Sequence, residues 1–237
     1  MKTIRVVMDN GVEKVVSAPG NKAHVIVVNA ADGTKSAYKA FSSFQGSFQD
    51  IEPLMSGGAI VGYGVTGLES STTVPTGTGG CTKAEGCSTI FGHVALISTD
   101  LSTITWQKNF NDFTGGTGAY AGLTPISDAV MITECWGLTA TVDAQGDGTG
   151  FVAACGQGIE GCREYLTGID EATLTTCEND PRRTWRGAAV KVDTSGTMNW
   201  WRNDNERAYE FVDRDASGQL VLLSDKPIGF GFATLAQ

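Results

Sequence analysis

The feature that most restricts what this chain can fold into is a recurring unit: a short apolar strand, a polar turn, then a strand carrying a large aromatic residue. His24-Val25-Ile26-Val27-Val28-Asn29 runs into Asp32-Gly33-Thr34 and on to Tyr38 and Phe41. Gly92-His93-Val94-Ala95-Leu96-Ile97 runs into Asp100-Leu101-Ser102 and on to Trp106 and Phe110. Gly187-Ala188-Ala189-Val190-Lys191-Val192 runs into Asp193-Thr194-Ser195-Gly196-Thr197 and on to Trp200 and Trp201. A further hairpin-like half follows each of them, at 56–64, 146–156 and 213–223. β-Branched and aromatic runs bounded by Gly, Asp, Asn and Ser read as strands, and no window sustains the i, i+3, i+4 spacing of a helix. At the N-terminus Asn10-Gly11 separates two apolar runs, Ile4–Met8 and Val12–Val16, a strong hairpin signal because both turn residues must tolerate positive φ. The 31 glycines are spread without a collagen period, as many tight turns require.

Two hairpin halves make four short strands, which is one propeller blade. The expected fold is therefore all-β: a single domain over 1–237, built as a β-propeller or a propeller fragment of four-stranded blades, with a β-sandwich as the alternative. The units lie near 24–66, 92–157 and 187–226, and the two termini together supply strands for a further blade. The aromatic spacing is irregular, and its excess falls between Phe110 and Gly146, an insertion around Gly115-Gly116-Thr117-Gly118. Insertions in repeat proteins map to loops on one face, often the binding face. Trp200 and Trp201 are strand neighbours that face opposite sides, so one is expected in the core and the other exposed or at an interface.

Lys191, Asp193, Gly196 and Trp200, followed by Asp215 and Gly218, carry a family resemblance. The pattern resembles the bacterial β-propeller repeat families, in which Lys-x-Asp-x-x-Gly-x-x-x-Trp is followed by Asp-x-x-Gly-x-x-x-x-x-Gly. The chain departs from it at Ser224 in place of the last Gly, in the second unit, which lacks the turn Gly, and at Tyr38 in place of Trp. The resemblance implies the propeller fold. It implies no single function, since such families include binding, structural and enzymatic members.

With 17 Lys and Arg against 26 Asp and Glu, the formal charge is −9. That argues against nucleic acid and anionic membranes, both of which are held by clustered Lys and Arg. No apolar run approaches the ~20 residues of a membrane span, so no membrane insertion is expected. The six cysteines, Cys81, Cys87, Cys135, Cys155, Cys162 and Cys177, lack the spacing and the histidines of a zinc site. They are expected as disulfides, which places the protein outside the cytosol, extracellular or periplasmic. Loop length pairs Cys81 with Cys87 and Cys155 with Cys162, leaving Cys135 with Cys177. The stretch Met1–Asp9 has Arg5 and Asp9 where the apolar core of a signal peptide would run, so any signal is missing from this sequence.

No metal and no cofactor is expected. Asp213-Arg214-Asp215-Ala216-Ser217-Gly218 begins like a calcium loop, but Val221 and Ser224 occupy later ligand positions, so it reads as an Asp/Gly turn. Gly156, Gly158 and Gly161 have dinucleotide-loop spacing without the following helix, and read as a cysteine-closed Gly loop. His24 and His93 each begin an apolar strand and read as packed or strand-edge residues. The distinctive surface candidate is Arg182, Arg183, Trp185 and Arg186, three guanidinium groups beside an indole that would receive an anion or a sugar ring. The expected function is a non-catalytic extracellular binding or structural module with a protein or carbohydrate partner. The alternative is a glycoside hydrolase whose carboxylates converge from several blades.

Overall fold

The β-branched runs pair into antiparallel ladders almost without interruption. The structure is a computed structural model that describes residues 5–9, 12–17, 22–74, 87–110, 131–159, 171–179, 185–203, 208–226 and 229–235. Its strands are β1 (Arg5–Asp9), β2 (Val12–Ser17), β3 (Lys22–Asn29), β4 (Lys35–Ser56), β5 (Ala59–Val74), β6 (Cys87–Ile97) and β7 (Ile104–Phe110). They continue as β8 (Met131–Val142), β9 (Gly148–Ile159), β10 (Arg186–Asp193), β11 (Met198–Asn203), β12 (Tyr209–Arg214), β13 (Leu220–Lys226) and β14 (Gly229–Leu235). One helix, α1 (Glu171–Glu178), is found among the described residues. The all-β expectation holds.

Four antiparallel meanders follow one another along the chain. The first is β1–β4; the second runs from the later part of β4 through β5, β6 and β7; the third is β8–β11; the fourth is β12–β14. β1 pairs β2 with Asp9 opposite Val12, the two-residue hairpin that Asn-Gly predicts. β4 serves two meanders, pairing β3 from Lys35 to Gln45 and β5 from Gly46 onward. The second and third meanders touch edge to edge through one parallel pair, Ile90 with Ile132. Strands of the second sequence unit therefore divide between two meanders, β6 and β7 in one and β9 in the next.

The meanders pack face to face. Between the first and second lie Val25, Phe41, Phe44, Phe48, Ile51, Val65, Ala95 and Ile97. Leu54, Val94, Leu96, Leu138, Phe151 and Val190 fill the space between the second and third. Between the third and fourth lie Val152, Ala154, Ala189, Tyr209, Val212, Leu220 and Leu222. The first strands of the last three meanders adjoin, β4 against β8 and β8 against β12. A bulge between Cys135 and Gly137 shifts the phase of β8, so Cys135 and Leu138 both face the second meander. With a sheet on each side of the third meander, Trp201 packs on one core and Trp200 on the other. Both are half-buried at interfaces between meanders, and an interface is one of the two places expected for the outer of the pair.

Strand direction sorts the connections into two ends. β4, β6, β8 and β10 run the same way, so the turns after them, at 57–58, 98–103, 143–147 and 193–197, share one end. The strand ends Val74, Cys87, Phe110, Met131, Ile159 and Arg186 share the other, here termed the loop end. Three turns are alike to the atom. In Asp143–Asp147, Asp193–Thr197 and Asp215–Gln219 the first Asp Oδ1 accepts from the N–H groups two and four residues on, at 2.8–2.9 Å. The fourth residue is Gly at φ near +85° (86, 83 and 85°), a conformation that costs glycine little. Leu101 takes the corresponding left-handed position between β6 and β7 at φ 60°, and its side chain is buried in the first core.

Candidate functional site

The loop-end surface of the third meander is built from the alternation of β9. Phe151, Ala153 and Cys155 point toward the second meander, and Val152 and Ala154 toward the fourth. Gly156 and Gly158 continue the second series as a floor without side chains. Two indoles lie on it. A Cβ on Gly158 would fall 2.7 Å from Trp185 Cδ1, and one on Gly156 would fall 2.8 Å from Trp136 Cζ3 and 2.9 Å from Trp185 Cε3. These glycines serve close approach, as strand glycines commonly do. Trp136 stands on the β8 bulge, its ring centroid 6.0 Å from that of Trp185 with the planes 31° apart. Trp185 is half-buried, and its Nε1 is shielded from solvent with no acceptor among the described residues. Arg186, also half-buried, opens β10 beside it. On the opposite face of β9, Gln157 Nε2 donates to Thr133 Oγ1 at 3.1 Å.

Two sequence expectations are corrected here. Gly156 and Gly158 belong to a strand rather than a cysteine-closed loop, because β9 runs on to Ile159. Cys155 bonds Cys135, not Cys162, and Cys135 is therefore not paired with Cys177. The two are register partners on β8 and β9 with Cα atoms 3.9 Å apart, so the sheet juxtaposes them whatever the loop length. Cys81 and Cys162 lie outside the described residues, as do Arg182, Arg183, Gly161 and the segment 115–118. Of the four residues expected on the surface loop, Trp185 and Arg186 are placed, and Trp185 is packed rather than standing free. Trp136 was missed; its only signal is a large aromatic between Cys135 and Gly137 within an apolar run.

The remaining chemistry-bearing groups are engaged elsewhere. His93 is fully buried against Phe44 and Phe48, with ring centroids 4.7 and 5.8 Å away, and burial pushes it down to about 3. Hydrogen bonds from Ser98 and then Ser102 hold Asp100 at about 2. Thr34, Ser195 and Ser217 likewise keep Asp32, Asp193 and Asp215 below the usual carboxylate range. Asp50 joins meanders, its Oδ2 accepting from Leu138 N–H at 2.9 Å. Near the loop end Glu69 Oε2 accepts from Gln107 Nε2 at 2.5 Å and Asn109 Nδ2 at 2.7 Å. No group of three or more His, Cys, Asp or Glu able to hold a metal ion occurs among the described residues. No helix of the described residues is long and apolar enough to cross a membrane.

No family model and no curated protein matches this chain. Among solved structures it is similar to hydrazine synthase of Kuenenia stuttgartiensis, with a TM-score of 0.50 at 9% identity, over 98% of this chain and 58% of that one. The chain thus spans a little over half the length of that neighbour. At such low identity the likeness is one of fold alone.

Proposed function

We propose that this chain is a non-catalytic extracellular binding or structural module whose meanders are blades of a β-propeller and whose loop end carries recognition. The propeller reading is supported by successive antiparallel meanders packed face to face with the first strands of the last three adjoining, as blades around an axis are arranged. The buried Cys135–Cys155 disulfide supports an oxidising compartment. The carboxylates described above act as acceptors within turns and between sheets, which favours a scaffold over a hydrolase. The observation that carries the site is the Trp136–Trp185 pair on its glycine floor, with Arg186 adjoining and Arg182 and Arg183 just upstream in sequence. Rigid aromatic faces beside guanidinium groups suit a sugar ring that also bears a carboxylate.

Calorimetric titration with an oligo-uronate and with a neutral cello-oligosaccharide tests this. The uronate is expected to bind, and Arg182→Ser with Arg183→Ser to weaken it about tenfold or more while the melting temperature holds, as for hot-spot charges. Trp185→Phe keeps the groove filled and is expected to weaken binding as well. Absence of binding to either sugar, or binding indifferent to all three substitutions, would remove the loop end as the carbohydrate site.

A further inference from the structure

Among the described residues the row of meanders ends at each side on a partly exposed apolar face. On the fourth meander, Leu220, Leu222 and Ser224 of β13 point inward and are buried, leaving Val221 and Leu223 half-buried on the outer face. A register shift after Tyr209 puts Phe211 opposite Leu223 and Asp213 opposite Val221 on that face, with Phe211 44% exposed. The first meander mirrors this. Ala23 and Val25 of β3 point into the core, so Ile26 and Val28 face outward and are half-buried. Tyr38, 52% exposed, lies opposite Ile26. Lys35 lies opposite Val28, its Nζ 5.6 Å from the Tyr38 ring.

We propose that these two faces are one interface between copies of this chain: the fourth meander of one molecule seats on the first meander of a second. Three observations favour this occupant. Each face is the kind of surface that the internal interfaces bury, aliphatic residues around an aromatic. The charges are complementary, Lys35 beside Tyr38 on one face and Asp213 beside Phe211 on the other. The two faces make no comparable contact within one chain among the described residues. Exposed contiguous apolar surface of this sort marks an interaction site. A head-to-tail contact closes into a ring when its rotation allows, and two copies of four meanders give eight, inside the usual range of about four to eight blades.

Sedimentation velocity on the whole chain tests the proposal. The expected result is a dimer of twice the 24.9 kDa chain mass. Asp213→Lys is expected to raise the dissociation constant about tenfold or more, and Lys35→Asp in the same chain to restore it, as a charge swap across one contact requires. Both positions lie at solvent-accessible strand surfaces, and circular dichroism of each variant confirms folding. A monomer at every soluble concentration overturns the proposal, whether a further sheet of other origin covers the faces or none does. An assembly unaffected by Asp213→Lys and by Phe211→Gln also overturns it.

Discussion

Gly158→Ala separates close packing from backbone preference by its sign. A strand glycine replaced by alanine ordinarily gains roughly 0.5–1 kcal/mol from reduced chain entropy. Here the added Cβ would sit 2.7 Å from Trp185 Cδ1 and 2.9 Å from its Cγ and Nε1. The indole has little room to yield, since Gly156 lies under its other edge and Trp136 stands beside it. Overpacking of this kind costs about 1–3 kcal/mol. Set against the entropy gain, this leaves a net loss of about 1 kcal/mol, or roughly 2–4 °C in melting temperature for a domain of this size. Urea denaturation followed by far-ultraviolet circular dichroism reads it. In a Trp185→Leu background the clash is gone, so Gly158→Ala should become neutral or stabilising, a coupling of about 2 kcal/mol between the two sites. A stabilising Gly158→Ala in the otherwise unaltered chain, or an equal cost in both backgrounds, would refute the packing argument.

Replacing Cys135 and Cys155 together by Ala opens a loop with a sequence separation of 20 and should cost about 3 kcal/mol in urea unfolding; an unchanged midpoint would contradict the disulfide. His93 remains neutral in the fold down to about 3 but takes up a proton below 6.5 when unfolded. Its contribution to stability is therefore complete above pH 6.5 and declines as pH falls toward 3, by about 2 kcal/mol between pH 6.5 and 5. His93→Leu should flatten that part of the stability profile, and an unaltered slope would count against the burial of His93. At Leu101, Ala keeps the left-handed strain and loses the core contact, whereas Gly loses the contact but relieves about 1–2 kcal/mol of strain. Leu101→Gly should therefore be the milder of the two in thermal unfolding, and the reverse order would refute the strain.

The hairpins were legible because their turns are local chemistry. An Asp whose oxygen meets two nearby N–H groups, followed by a residue at positive φ, is spelled out in Asp193–Thr197 and Asp215–Gln219. Leu101 shows the limit of that local code: the same turn forms without its glycine because a buried side chain offsets the strain. What sequence spacing could not convey was which strands adjoin. Cys135 and Cys155 are 20 residues apart in sequence yet meet as register partners in the ladder, so loop length does not identify the pairing. Gly156 and Gly158 resembled a loop because their purpose, a floor for indoles from β8 and from the residue before β10, depends on packing between non-adjacent segments. The candidate site was half legible for the same reason: Trp185 and Arg186 stood out by composition, whereas Trp136 joins them only in three dimensions.

In the proposed function the turn end is scaffold and the loop end recognises the ligand. Hydrogen–deuterium exchange with and without the oligo-uronate tests it most directly, because it reads every backbone amide in the same experiment. The account predicts added protection at 133–136, 156–159 and 185–187, and none at the turns 98–103, 143–147 and 193–197. Protection confined to those turns, with the loop-end strands unchanged, would contradict it.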